Sequence, residues 1–143
     1  FYAYTVSVNL GLGKLSDAEY LRSMQNINRA ILNPWFFMSF MGSLIMLPLT
    51  TWLASRTGGY DMSFYMLLIA TILYVVGVFG VTIFSNVPLN EALDRFNIND
   101  ATLQEINSKR ISFEIPWNKF NMIRTIANIL SLAVVLWSII RKY

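Results

Sequence analysis

The sequence predicts an all-α integral membrane protein, a four-helix bundle whose first helix is truncated, with short amphipathic helices gathered on one face. Three observations carry that prediction. Between Arg29 and Arg56, and again between Asp61 and Glu91, the chain runs 26 and 29 residues without a charged side chain. A third apolar stretch, Thr125 to Ile140, lies between Arg124 and Arg141. Hydrophobic residues make up 55% of the chain and charged ones only 13%, about half the charged share of soluble domains. A hydrocarbon core of about 30 Å needs roughly 20 apolar residues of helix, and a charge at its centre costs about 3 kcal/mol on insertion scales.

Each element follows from local signals. Residues 1–12 are uncharged but too few to cross a membrane, so they read as the tail of a first spanning helix whose beginning is missing. They lack the basic region and small-residue cleavage site of a signal peptide. Ser16-Asp17-Ala18-Glu19 has the form of a capping box, and Leu21, Met24, Ile27 and Ile31 follow at helical spacing. An amphipathic helix over 17–32 is expected, lying at the membrane interface or packing on the bundle. Asn33-Pro34 ends it, because the residue before a proline is pushed out of the α region.

A second span is expected over 35–54, kinked at Pro48, with Thr50 or Thr51 available to the freed carbonyls. Gly58-Gly59 makes a short turn into a third span, 62–84, its antiparallel neighbour. In the next connection Pro88 opens a short helix to about residue 96, and Asn99 or Asp100 caps another to about 109. The fourth span, 117–140, reaches membrane length only if Arg124 is accommodated inside it. The whole, residues 1–143, reads as one transmembrane helical domain. The connections 12–34 and 85–116 then form a structured layer on one face, opposite a bare turn and the chain ends.

Composition narrows the chemistry. With no Cys there is no disulfide, thiolate or Cys-ligated metal, and with no His the commonest metal ligand and the near-neutral acid/base are both missing. No cofactor or metal site is expected. The net charge of +3 could suggest nucleic acid, but the basic residues are scattered at helix ends, where they suit lipid headgroups instead. Lys14, Arg22, Arg29, Arg95, Lys109, Arg110 and Lys119 fall on the structured face, whereas Arg56, Arg141 and Lys142 crowd short segments opposite. A raw tally puts the structured face in the cytoplasm; density per residue puts the termini there, and the reading adopted is a multi-pass protein with both termini cytoplasmic. Trp35, Trp52, Trp117 and Trp137 sit near span ends as interface anchors.

The structured face concentrates amides: Asn26, Asn28 and Asn33 before the second span, Asn86 and Asn90 after the third, Asn118 and Asn121 with Arg124 in the fourth. Amides carry both donors and an acceptor, so the group either caps helix ends and bonds between helices or binds a polar uncharged ligand. Arg124 stands two turns inside its helix from Trp117. It either snorkels or pairs with Glu91, Asp94 or Glu114, or it anchors an anion and polarises an oxygen atom. There is no P-loop, dinucleotide fingerprint or nucleophile elbow, and no span holds paired carboxylates.

Gln25-x-Ile27-Asn28-x-x-Ile31-x-Asn33-Pro34-x-Phe36, Asn86-Val87-Pro88-Leu89-Asn90-x-x-Leu93 and Trp117-x3-Asn121-x2-Arg124 resemble, in order and spacing, the small four-helix membrane proteins of the anthrone-oxygenase-like family, much of which is labelled a domain of unknown function. The resemblance implies a polyketide-tailoring activity, oxidation of an anthrone by O₂ to an anthraquinone without an evident metal or flavin. Enzymatic members place a histidine near the arginine of the last helix, where this chain has Asn121. Two hypotheses follow. As a cofactor-independent oxygenase, the protein would admit an apolar aromatic substrate from the bilayer. Arg124 would hold its phenolate or enolate, Asn90 and Asn121 would orient its oxygen atoms, and Asn28, Asn33, Asn86 and Trp117 would line the site. As a non-catalytic accessory subunit, it would use its aromatic spans and amide layer to contact membrane protein partners.

Overall fold

The structure, a computed structural model, describes residues 1–141, among which there are five helices and no strand. Helix α1 covers residues 2–12, with a π-helical stretch Tyr4–Val8 running into an α-helical Asn9–Leu12. Helix α2 is Asp17–Ala30 and α3 is Pro34–Thr57. Helix α4, Met62–Asp94, contains the π-helical stretches Leu73–Gly80 and Thr82–Asn86, and α5 is Leu103–Ile140. Helices α3, α4 and α5 are each long and apolar enough to cross a membrane. The protein is all-α and of membrane type. Lys142, expected beside the turn, lies outside the described residues.

The chain divides into two compact units. The first comprises Phe1–Asn33 and Val81–Thr125, the second Pro34–Gly80 and the chain from Ile126 on.

In the first unit, α2 begins with a closed capping box: the Ser16 backbone N–H and hydroxyl both donate to Glu19 Oε2, at 3.1 and 2.6 Å. Those bonds hold the Glu19 carboxyl below its usual range. The apolar stripe of α2 buries Tyr20, Leu21 and Met24 against Leu93, Ile98, Ile106, Phe113 and Trp117, so α2 packs on a core and does not lie free at an interface. It stops at Ala30, two residues short of expectation, where Asn33 Nδ2 donates to the Ala30 carbonyl at 2.9 Å and Pro34 opens α3. Arg110 binds the chain entering α2 to α5. It donates to the carbonyls of Gly13 and Leu15, to Asp17 Oδ1 at 2.9 Å and to Glu114 Oε2 at 2.8 Å.

The expected connection 85–116 is corrected. Helix α4 runs on through Pro88 to Asp94, only residues 95–102 are non-helical, and α5 then runs through Pro116 without a break. Pro88 is the second residue of the α-helical end of α4, directly after a π-helical stretch, so its missing N–H falls where the bonding pattern is already changing. Around Pro116, the buried rings of Phe113 and Trp117 seat the helix in one core on both sides of the proline. The cap of α5 is Thr102, not Asn99 or Asp100: its N–H and hydroxyl donate to Glu105 Oε2 at 2.8 and 2.7 Å.

The second unit is packed differently. Gly59 takes φ +73, the left-handed turn that only glycine adopts freely, and Asp61 caps α4 by accepting from the Phe64 N–H at 2.9 Å. Interhelical contact rests on hydroxyls and small residues. Thr51 and Thr71 share a hydrogen bond of 2.8 Å, the Tyr74 hydroxyl donates to the Phe40 carbonyl at 3.0 Å, and Ser131 donates to the Ala70 carbonyl at 2.9 Å. A Cβ on Gly77 would lie 2.6 Å from Ala127 Cβ. Trp35, Ile45, Trp52, Ile69 and Val76 are exposed, as acyl-chain solvent requires. Beside Pro48, the Thr50 and Thr51 hydroxyls bond the carbonyls of Met46 and Leu47.

Candidate functional site

On α5, Trp117, Asn121, Arg124 and Thr125 recur at i, i+4, i+7 and i+8 and share one helix face. On α4, Thr82, Asn86 and Asn90 recur every four residues. The two faces meet. The Trp117 indole N–H donates to Asn90 Oδ1 at 2.9 Å, Asn86 Nδ2 donates to the Trp117 carbonyl at 3.5 Å, and Arg124 Nη1 donates to Thr82 Oγ1 at 3.4 Å. Helix α1 closes the group. Asn121 Nδ2 donates to Thr5 Oγ1 at 3.0 Å, Thr5 and Thr125 share a 3.0 Å bond, and Tyr4 stacks at a tilt on Trp117, ring centres 5.1 Å apart.

Arg124 lies at the centre of this arrangement, 6% exposed. Its Nη2 donates to Asn121 Oδ1 at 3.0 Å, and its guanidinium carbon stands 4.6 Å from the Phe1 ring centre and 5.6 Å from that of Trp117. The three carboxylates offered as partners by the sequence are engaged elsewhere: Glu91 with Arg95, Asp94 with Arg29, Glu114 with Arg110. Among the described residues no carboxylate pairs with Arg124, which corrects both the ion-pair and the snorkelling expectation. Trp117, at 5% exposure, is likewise no interface anchor, because its indole N–H is used inside the unit.

Two buried atoms of this group have no hydrogen-bond partner among the described residues: Arg124 Nε, a donor, and Asn86 Oδ1, an acceptor. An unmet buried polar atom costs about 1–3 kcal/mol, and an uncompensated buried charge more. A cation and an amide oxygen left in this way match a ligand that carries an anionic oxygen and a hydroxyl. The rings of Phe1, Tyr4 and Trp117 give the group an apolar surround.

Of the seven residues singled out from the sequence, Asn86, Asn90, Trp117, Asn121 and Arg124 belong to one connected group. Asn33 does not, since its amide closes the end of α2. Asn28 is joined to the group by no hydrogen bond, and its Nδ2 is buried without an acceptor. Sequence reasoning missed Thr5, Thr82 and Thr125. Thr82 was legible as the residue one turn before Asn86, whereas nothing distinguishes Thr5 from the threonines that only bond back to their own helix.

No curated relative and no solved structure matches this chain. The model of the family described as Anthrone oxygenase matches residues 35–134, a stretch that holds Thr82, Asn86, Asn90, Trp117, Asn121 and Arg124 and leaves out Phe1, Thr5, Asn28 and Asn33. The match covers well over half of the chain, which therefore belongs to the anthrone oxygenase family.

Proposed function

We propose that the protein oxidises an anthrone-class aromatic with O₂, and that Arg124 is the residue on which this chemistry turns. The observation that supports the reading is a buried guanidinium with no carboxylate partner among the described residues, set against aromatic rings. An anthrone bears a ketone opposite a methylene. Loss of one methylene proton gives an enolate whose charge sits on the ketone oxygen, and a fixed cation in a dry site stabilises that charge strongly. The carbanion carbon then forms a bond to O₂ and, with a proton returned, becomes a hydroperoxide. Loss of the second proton from that carbon, with cleavage of the O–O bond, releases water and leaves the new ketone. One O₂ enters and one water leaves, with the substrate supplying the electrons. The chain has no His or Cys, so in this reading Arg124 raises the acidity of the substrate enough for water or hydroxide to take the proton. Asn90 and Asn121 orient the substrate oxygens, Asn86 accepts from a hydroxyl beside them, and Trp117 bounds the ring. The substrate enters from the bilayer, and both termini are cytoplasmic.

The test is O₂ consumption by the purified chain in mild detergent with an anthrone. Arg124→Leu is expected to lower kcat/KM by about 10²-fold or more, because one preorganised donor at a developing oxyanion contributes that much. It should leave thermal stability equal or higher, since it removes an unpaired buried charge. A wild type without turnover, or an Arg124→Leu variant of undiminished rate, overturns the proposal. A stoichiometric copurifying protein together with no turnover supports the accessory reading instead.

A further inference from the structure

Beside α2, the end of α4 and the residues after it enclose an open cavity of about 320 Å³ in the first unit, lined by Arg22, Arg29 and Arg95 with Asp94 as its only acidic residue. Two of these guanidinium groups are answered: Arg29 by Asp94 at 2.6 Å and Arg95 by Glu91 at 3.3 Å. Arg22 holds only an amide oxygen, Asn99 Oδ1, at 2.8 Å. Its charge has no counter-ion among the described residues. The Leu93 carbonyl at the end of α4 and the Phe96 carbonyl just beyond it, which would repel an anion, are covered, because Gln25 Nε2 donates to them at 2.8 and 3.0 Å. The same two bonds tie α2 to the end of α4 and fix the walls of the cavity. Just after α2, two and three residues beyond Arg29 in the chain, Ile31 and Leu32 are exposed apolar side chains. Basic pockets between membrane helices are the form taken by sites for anionic lipid headgroups.

We propose that this cavity binds a phosphate ester, with Arg22 as its counter-ion and the free N–H groups of Arg29 and Arg95 as further donors. Guanidinium groups match phosphate oxygens in charge and in planar, two-pronged geometry. The exposed Ile31 and Leu32 favour an ester that carries acyl chains, the headgroup of an anionic phospholipid. This inference is independent of the Arg124 site, which shares no residue with the cavity.

The experiment uses the purified chain in dodecylmaltoside micelles, titrated with dioctanoyl phosphatidic acid, glycerol 3-phosphate and dioctanoylglycerol, with bound species counted by native mass spectrometry. Phosphatidic acid should bind, and dioctanoylglycerol should bind at least about tenfold more weakly. Arg22→Gln should weaken phosphatidic acid by about tenfold, Arg22→Lys by less, and Arg56→Gln on α3 should have no effect. Glycerol 3-phosphate binding with the same dependence on Arg22 assigns the cavity to free phosphate esters; no binding of it assigns the cavity to lipid. Equal binding of dioctanoylglycerol and phosphatidic acid, or affinity unchanged in Arg22→Gln, overturns the proposal. Arg22 makes one hydrogen bond to an exposed amide, so the variant should fold; its melting temperature is checked against that of Arg22→Lys.

Discussion

The unit formed by Phe1–Asn33 and Val81–Thr125 carries seven of the chain's eight carboxylates, and the unit formed by Pro34–Gly80 and the chain from Ile126 on carries Asp61 alone. The first has a core of large side chains, Tyr20, Leu21, Met24, Leu93 and Phe113, under a layer of paired charges, much as a soluble domain does. The second leaves many of its large apolar residues outside and joins its helices through Thr51, Thr71, Ser131 and Gly77. The difference follows from solvent. Where water competes, burial of apolar area drives packing; where lipid is as apolar as leucine, close backbone approach and hydroxyl bonds take over. The unpaired Arg124 belongs to the first kind of unit, which has the polar side chains to hold it, and the second offers no comparable setting.

That contrast can be broken most forcefully at Arg110. Arg110→Leu leaves Asp17 and Glu114 without their cation and frees the chain at Gly13 and Leu15. Both carboxylates are partly exposed, so the expected loss is about 2–3 kcal/mol, below that of a fully buried pair. Hydrogen exchange in detergent should show the loosening in residues 1–33 and not in 34–57; equal loosening of both would dissolve the distinction.

Gly77→Ala sharpens it from the other side. In an ordinary helix the change stabilises by about 1 kcal/mol, but here the new methyl would meet Ala127, so a loss of about 1–3 kcal/mol is expected by thermal unfolding. Adding Ala127→Gly should recover most of the loss, and no recovery would mean the clash is not with Ala127. A smaller effect is expected from Thr51→Val, which removes the bond to Thr71: about 0.6 kcal/mol, measured in the same unfolding assay.

The gentlest test uses pH. Hydrogen bonds from Asn107 and Arg110 hold the Asp17 carboxyl below its ordinary 3.8, and those from Ser16 hold Glu19 below 4.5. A depressed folded-state pKa contributes stability that is present above the unfolded value and is lost as pH falls through the folded one. Stability should therefore decline as pH drops below about 4, and Asp17→Asn should flatten the decline. A decline identical in Asp17→Asn would remove Asp17 from its cause.

Much of the fold was legible from charge alone. The uncharged stretches cover most of α3 and of α4, because lipid tolerates little else, and Ser16 with Glu19 marked the start of α2 to the residue. Proline was legible only in part. Pro88 does open an α-helical stretch, but one that continues α4 from a change of helix type, and Pro116, expected to end the connection, is flanked by residues seated in a core and leaves α5 unbroken. At the candidate site, Asn121 and Arg124 were legible because polar groups are conspicuous in an apolar helix. Thr5 was not, because a threonine can satisfy its hydroxyl on its own backbone, as Thr50 does, and only the fold decides which of them reach across.

The π-helical stretch Thr82–Asn86 has a consequence for phase. Along an α-helix, residues four apart precess by about 40°, so a row spaced by fours drifts off a straight line. A wider turn lags where the α turn runs ahead, and α4 has the first kind up to Asn86 and the second from Val87 to Asp94. The two drifts oppose each other, and Thr82, Asn86 and Asn90 all come to face α5. Loss of a single residue between Thr82 and Asn86 would tighten that turn and swing Thr82 away from Arg124 while every amino acid of the site stayed in the sequence. In this helix the spacing between the polar residues is as much a determinant of the site as their identity.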